Sequence, residues 1–166
     1  LMIMLLATAV LFTSCKKDDE DEDMGMNEPK SIAAIASENT QFTTLVQALD
    51  KANLVSTLDG NGTFTVFAPT NEAFDMLFQD LGVSGIDDLS ADVITPILLY
   101  HVVGSVAKST DLSTGYFETL SASPEDGEGI VMFIDVNGGV SINSNINVTD
   151  ADIDASNRGI HVIDKV

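Results

Sequence analysis

Tryptophan is absent from the 166 residues, cysteine occurs once, histidine twice and proline four times. One thiol cannot close an intramolecular disulfide or build a cysteine-rich zinc site. Basic side chains are scarce: 7 Lys and Arg stand against 26 Asp and Glu, a net charge of −19. A surface this negative repels phosphate backbones, which argues against nucleic-acid partners. No apolar run reaches the ~20 residues that a membrane-crossing helix needs. No Gly-x-Ser-x-Gly nucleophile elbow occurs, and His101 and His161 are the only imidazoles available as catalytic bases. What remains is 45% hydrophobic, enough for one ordinary domain with its own core and too little chain for two.

The apolar residues open the chain. Residues 1–12 read LMIMLLATAVLF without a charge, the length of a secretory h-region. No basic n-region precedes Leu1, so the start looks clipped. The run ends in Phe12-Thr13-Ser14-Cys15, which resembles a lipobox, with Phe12 where that pattern usually has Leu. Residues 1–14 are therefore expected to be a signal peptide and Cys15 the lipid anchor. The competing reading is an ordinary signal peptide with an incidental cysteine. The position of the sole Cys, where apolar residues stop and charges begin, favours the anchor. Lys16-Lys17 and the acidic block Asp18 to Asp23 follow, and a like-charge run stays solvated. Residues 15–30 then form an acidic tether, and Lys followed by acids after the anchor also resembles a surface-export signal. Residues 31–166 still hold 19 acidic and 4 basic side chains, net −15.

Within residues 31–166 the period of apolar residues changes once. Ile32, Ile35 and Ala36, then Phe42, Leu45, Val46 and Leu49, mark two short helices separated at Asn39-Thr40. Leu54, Val55 and Leu58 continue as an apolar turn, closed by Asp59-Gly60-Asn61-Gly62. Thr63 to Ala68 reads as a strand with Phe64, Val66 and Ala68 on one face, ended by Pro69. Thr70 and Asn71 offer caps to a helix whose stripe is Phe74, Leu77, Phe78 and Leu81. Leu89 to His101 forms another helix, with Val93, Ile97 and Tyr100 on one face and Ile94 and Leu98 beside them; Pro96 either kinks it or starts it. From Val102 the period is two. Strands are expected at 102–103, 117–120, 130–136, 140–142, 146–148 and 160–163, with a hairpin turn at Asn137-Gly138-Gly139. Helices first and strands after make an α+β domain.

Three blocks carry a family resemblance. Thr65-Val66-Phe67-Ala68-Pro69-Thr70-Asn71-Glu72-Ala73-Phe74 is the first. Leu98-Leu99-Tyr100-His101-Val102-Val103 is the second, and Ala155-Ser156-Asn157-Arg158-Gly159-Ile160-His161-Val162-Ile163-Asp164-Lys165-Val166 the third. In this order and spacing they resemble a fasciclin domain over residues 31–166. Two departures stand out. Arg158 intervenes between Asn157 and Gly159, where the family has Gly directly after Asn. The chain also stops at Val166, short of the family's Leu-x-Pro end, so the last strand is expected to lose final pairing residues. The resemblance implies a wedge-shaped β-sandwich with packed N-terminal and inserted helices, used extracellularly for adhesion. It implies structural roles for Thr65, Phe67, Pro69, Thr70, Asn71, Phe74, Asn157, Gly159 and His161. It implies partner binding through Tyr100 and His101 and through Asp152 and Ile153, the positions some matrix members use for integrins.

The residues fit binding better than catalysis. His101 closes a helix beside a strand, where a carbonyl can hold it. His161 alternates with Ile160 and Val162, which turns its ring to the opposite face. Asp150-x-Asp152-x-Asp154 opens like an EF-hand loop, but Ala155 and His161 stand where that loop requires Gly and Glu. Sequons at Asn61 and Asn147 carry little weight in a bacterial-looking lipoprotein. No cofactor or metal is implied. The expectation is a lipid-anchored adhesion module at the outer membrane or cell surface, with a protein or glycan partner. The alternative is a carrier that holds a small apolar ligand in a cleft, as some fasciclin-type proteins hold pigments.

Overall fold

The computed structural model describes residues 30–59, 62–155 and 158–166. The expected signal peptide, Cys15, the tether up to residue 29, Asn61 and Asn157 lie outside them.

Among the described residues, five helices and two 3-10 turns precede or interrupt the strands. The helices are α1 (Ile32–Glu38), α2 (Thr43–Lys51), α3 (Val55–Asp59), α4 (Asn71–Leu81) and α5 (Ala91–Tyr100). Ser31 caps α1 by accepting from the Ala34 amide, and Thr70 caps α4 by accepting from the Ala73 amide. Gly82 ends α4 at φ 67°, a left-handed position that glycine takes without a Cβ penalty. Asn71 does not cap its own helix. Its Oδ1 accepts from the Thr44 amide at 2.9 Å and its Nδ2 donates to the Thr40 carbonyl at 2.8 Å. One amide side chain thus satisfies the N-terminus of α2 and ties it to α4.

The strands are β1 (Thr65–Pro69), β2 (Val102–Val103), β3 (Gly115–Ala122), β4 (Gly129–Asp135), β5 (Ser141–Ile142), β6 (Ile146–Ala155) and β7 (Arg158–Ile163). The expected two-sheet sandwich is replaced by one closed sheet, a barrel in the order β1-β2-β3-β4-β5-β6-β7. Closure comes from β7, which pairs antiparallel with β6 and parallel with β1, from Thr65↔Gly159 through Pro69↔Ile163. Closure removes both sheet edges. β7 is paired on both sides as far as Ile163.

Alternation along β1 and β7 divides the core in two. Val66, Ala68, Ile160 and Val162 face the helices and pack with Leu45, Leu49, Phe74, Ile94 and Leu98. Phe67 and Ile163 face the other way, among Val103, Met132, Ile134, Ile142 and Ile146. Those residues come from β1, β2, β4, β5, β6 and β7, so they fill the barrel. The gap left beside Phe67, Leu112 and Ile134 admits no water.

Two details differ from the periodicity. In α5, Ile94 and Leu98 are buried whereas Val93 is 46% exposed. The run Val93 to Tyr100 is apolar nearly all round, so spacing alone leaves the buried face ambiguous. Pro96 lies inside α5, where its ring and the Asp92 carbonyl that loses a donor are both at the surface. Strand β6 extends to Ala155, well past Val148. Its register shifts twice, and Asp152 takes φ 60°. A bulged, acid-rich strand carries no alternation to read.

Candidate functional site

Helix α5 delivers Tyr100 and His101 to its C-terminal end. The His101 amide donates to the Leu98 carbonyl, and the His101 carbonyl accepts from the Phe67 amide at 2.9 Å. The residue is thereby fixed to β1 as well as to the helix. Its Nδ1 lies 2.7 Å from the Ile97 carbonyl oxygen. A carbonyl only accepts, so the ring proton is on Nδ1 and Nε2 carries a lone pair. Nε2 is buried and has no hydrogen-bond partner. Burial lowers the imidazole pKa below its usual value, against a smaller upward pull from the Ile97 bond.

Tyr100 meets the His101 ring edge-on, centroids 5.8 Å apart. Its phenol oxygen accepts from Asn143 Nδ2 at 2.8 Å. The Asn143 amide is oriented in turn, because its Oδ1 accepts from the Phe133 amide. Tyr100 and His101 line an open cleft of about 590 Å³ between the helices and one end of the barrel. Leu77, Pro96, Ile97, Ile130 and Ile146 supply apolar walls, and Ser121, Asn143 and Asn145 supply polar ones. Among the described residues, no lining side chain carries a charge. Asp152 and Ile153, the second expected binding pair, do not line this cleft.

A different arrangement gathers Gly159 and His161 of the third block with Thr65 of the first. The segment between β2 and β3 crosses the sheet near Thr65. Thr65 Oγ1 donates to the Ser105 carbonyl at 2.6 Å and accepts from the Ala107 amide at 2.8 Å. His161 is fully buried, its ring 5.5 Å from that of Phe67. Its Nε2 donates to the Ala107 carbonyl at 3.0 Å, and Nδ1 accepts from the Asp152 amide at 3.3 Å. Gly159 lies where a Cβ would come within 3.1 Å of the same Ala107 carbonyl, so a larger residue would need the segment to give by a few tenths of an ångström. The Asp152 carboxylate accepts from the Ser109 hydroxyl, a short contact, and from the Ser109 amide at 2.7 Å. Those two bonds, the hydroxyl's first, hold the Asp152 pKa below the usual carboxylate value. Ile153 is half-buried against the helix-facing core.

Thr65, Gly159, His161 and Asp152 thus converge on residues 105–109. Both nitrogens of His161 serve backbone groups, which gives it a structural task. Nothing in this arrangement presents an activated nucleophile. Among the described residues no group of His, Cys, Asp and Glu could hold a metal ion, and no helix is long and apolar enough to cross a membrane. Of the residues that line the cleft, Tyr100 and His101 belong to the second block and Val166 ends the third. Asn143 is in a turn after β5, and its φ of 50° is the left-handed value that Asn tolerates.

The fold and sequence have relatives. Protein sll1483 of Synechocystis sp. is 38% identical over 136 residues, covering 82% of this chain and 72% of that protein. The cell surface glycolipoprotein MPB83 of Mycobacterium bovis is 39% identical over 99 residues, 55% of this chain and 42% of that protein. Among solved structures, a FAS1 domain pair from the insect cell adhesion molecule Fasciclin I superimposes with a TM-score of 0.62 at 17% identity. The match covers 83% of this chain and half of that pair. The family model described as "Fasciclin domain" matches residues 40–166. With that match spanning both core layers and the cleft, the chain belongs to the fasciclin domain family.

Proposed function

We propose that this protein is a non-catalytic recognition module displayed at the cell surface. In this reading residues 1–14 export it, a lipid on Cys15 anchors it in the outer membrane, and residues 15–30 hold residues 31–166 away from the bilayer. A single acyl chain anchors marginally, so two chains on the cysteine would be needed for stable attachment. The domain then binds a protein or a glycan. The observation that carries this reading is the placement of Tyr100 and His101 at an open cleft, with the His101 ring fixed by backbone groups at its own helix end. Supporting it, relatives carry names of surface proteins and the fold neighbour is an adhesion molecule. The net charge of −15 on residues 31–166 favours a partner with a basic or neutral contact face.

A screen of the full chain against matrix-protein and glycan arrays tests the proposal. Saturable retention that weakens in Tyr100→Ala, with the fold intact by circular dichroism, supports it. Reproducible ester, peptide or glycoside hydrolysis that disappears in a folded His101→Ala variant contradicts it. A second reading, a carrier of a small apolar molecule, gains support from the same cleft. Its volume falls in the range of small-molecule sites. The packed barrel interior offers no comparable space.

A further inference from the structure

Strands β3 and β4 expose an apolar strip on the outside of the barrel. Tyr116 is 75% exposed and Val131 50%, and Leu120 is exposed beside them. Tyr116 pairs across the ladder with the half-buried Phe133, their ring centroids 5.2 Å apart. Phe117 packs into the barrel core, and Thr119 and Ser121 are buried, so Tyr116, Glu118 and Leu120 share the outer face. The cleft uses other residues of this hairpin: Ser121 and Ile130 line it, whereas Leu120 and Val131 do not. We propose that the strip is a second docking surface, and that it takes an extended basic protein segment. In it, an Arg or Lys lies over the Tyr116 ring, apolar side chains lie on Leu120 and Val131, and a second cation meets Glu118.

Charge identifies the occupant. Residues 109–157 contain no Lys or Arg. The turn that joins β3 to β4 carries Glu125, Asp126 and Glu128, all exposed. Glu118 lies across Gly129, where a Cβ would meet its side chain, which brings its carboxylate to that turn. Exposed apolar groups rimmed by charge of one sign suit a partner with apolar groups and the opposite charge. A second copy of this chain would bring the same acids, and a net charge of −15 on residues 31–166 repels it. A neutral glycan would stack on Tyr116 and leave the carboxylates unmatched. Shape supports an extended segment. Strand β2 pairs with β3 at one position, Val103↔Thr119. Beside it, Gly104 and Ser105 face Tyr116, Glu118 and Leu120 across a groove of about 440 Å³. The groove follows β3, so alternate residues of an extended partner would meet those three side chains in turn.

NMR titration of the 15N-labelled full chain with the end-capped peptide Arg-Ser-Val-Ser-Arg-Ser-Val tests the proposal. Its Arg and Val residues share one face when extended. The largest amide shifts should fall on residues 116–120 and 131–133. Tyr116→Ser should weaken binding about fivefold, the order of an exposed cation–π contact. Glu118→Gln should weaken it about threefold, the order of an exposed ion pair. Both positions are exposed, and the shift map of the unsubstituted chain needs no variant to fold. A comparison peptide with Ser in place of Val should bind about fivefold more weakly. One with Glu in place of Arg should not bind. Shifts confined to the acidic residues 18–23, an unchanged affinity in Tyr116→Ser, or equal binding of the Ser-substituted peptide would each overturn the inference. So would no shift up to about 5 mM peptide, or tighter binding of maltoheptaose than of the peptide at residues 116–133. None of these outcomes bears on the cleft, whose own tests use Tyr100 and His101.

Discussion

Thr65→Val exchanges a hydroxyl for a methyl of nearly the same shape, at a side chain that is 1% exposed. The packing is conserved, so the cost reports the two bonds to residues 105–107. The Ala107 amide is buried and loses its acceptor; an unpaired buried donor costs about 1–3 kcal/mol. The Ser105 carbonyl belongs to an exposed residue and regains water, so its loss is about 0.5–1 kcal/mol. Together the variant should lose about 2–4 kcal/mol, roughly 10 °C in Tm for a domain of this size. Thr65→Ser keeps the hydroxyl and gives up one methyl, so it should lose only about 1 kcal/mol. Urea titrations of the three proteins supply the comparison. Hydrogen exchange localises it: the Ala107 amide should exchange faster in the Val variant under native conditions. A Val variant within 0.5 kcal/mol of the parent, or a Ser variant as unstable as the Val one, would refute the assignment of Thr65 as the clamp on this segment.

Phe67 fills the barrel and Phe74 the helix-facing layer, both fully buried; replacing either by Ala should cost about 3–5 kcal/mol in denaturant melts. Burial lowers the His101 pKa in the folded state, so the unfolded chain takes up a proton first as pH falls below 6.5. The stability from neutral His101 is therefore complete above that value and declines as pH falls towards the folded pKa. Between pH 7 and 5, melts of His101→Gln should show a shallower decline than the parent. Cys15→Ser should release the protein from the detergent phase in a phase-separation assay, and unchanged partitioning would remove the anchor from the account.

Local rules made much of the fold legible. The Phe42, Leu45, Leu49 stripe, the Thr70 cap and the alternation of Val66 and Ala68 against Phe67 each follow from period and capping chemistry, and the structure buries them accordingly. Contacts between distant segments were not legible in the same way. Asn71 looks like a cap for the helix it opens, yet its amide serves α2, because Thr70 already fills the cap. Barrel closure depends on β7 lying parallel to β1, a pairing across the whole domain that no local pattern encodes. In β6, Asp152 sits in a left-handed turn of a bulged strand, and its carboxylate is committed to Ser109. The motif that marks Asp152 as a contact residue marks a clamp equally well. The cleft combines α4, α5, β3, β4 and the turn after β5, so its motif residues Tyr100 and His101 were visible while Ser121 and Asn143 were not.

The division of labour between cleft and clamp is the central claim, and side-by-side affinities test it most directly. The partner retained by the full chain on the arrays would be titrated by surface plasmon resonance against the parent, Tyr100→Ala and Asp152→Asn. The account predicts at least a tenfold loss for Tyr100→Ala and an affinity within twofold of the parent for Asp152→Asn. Loss confined to Asp152→Asn, with Tyr100→Ala binding as the parent does, would contradict it.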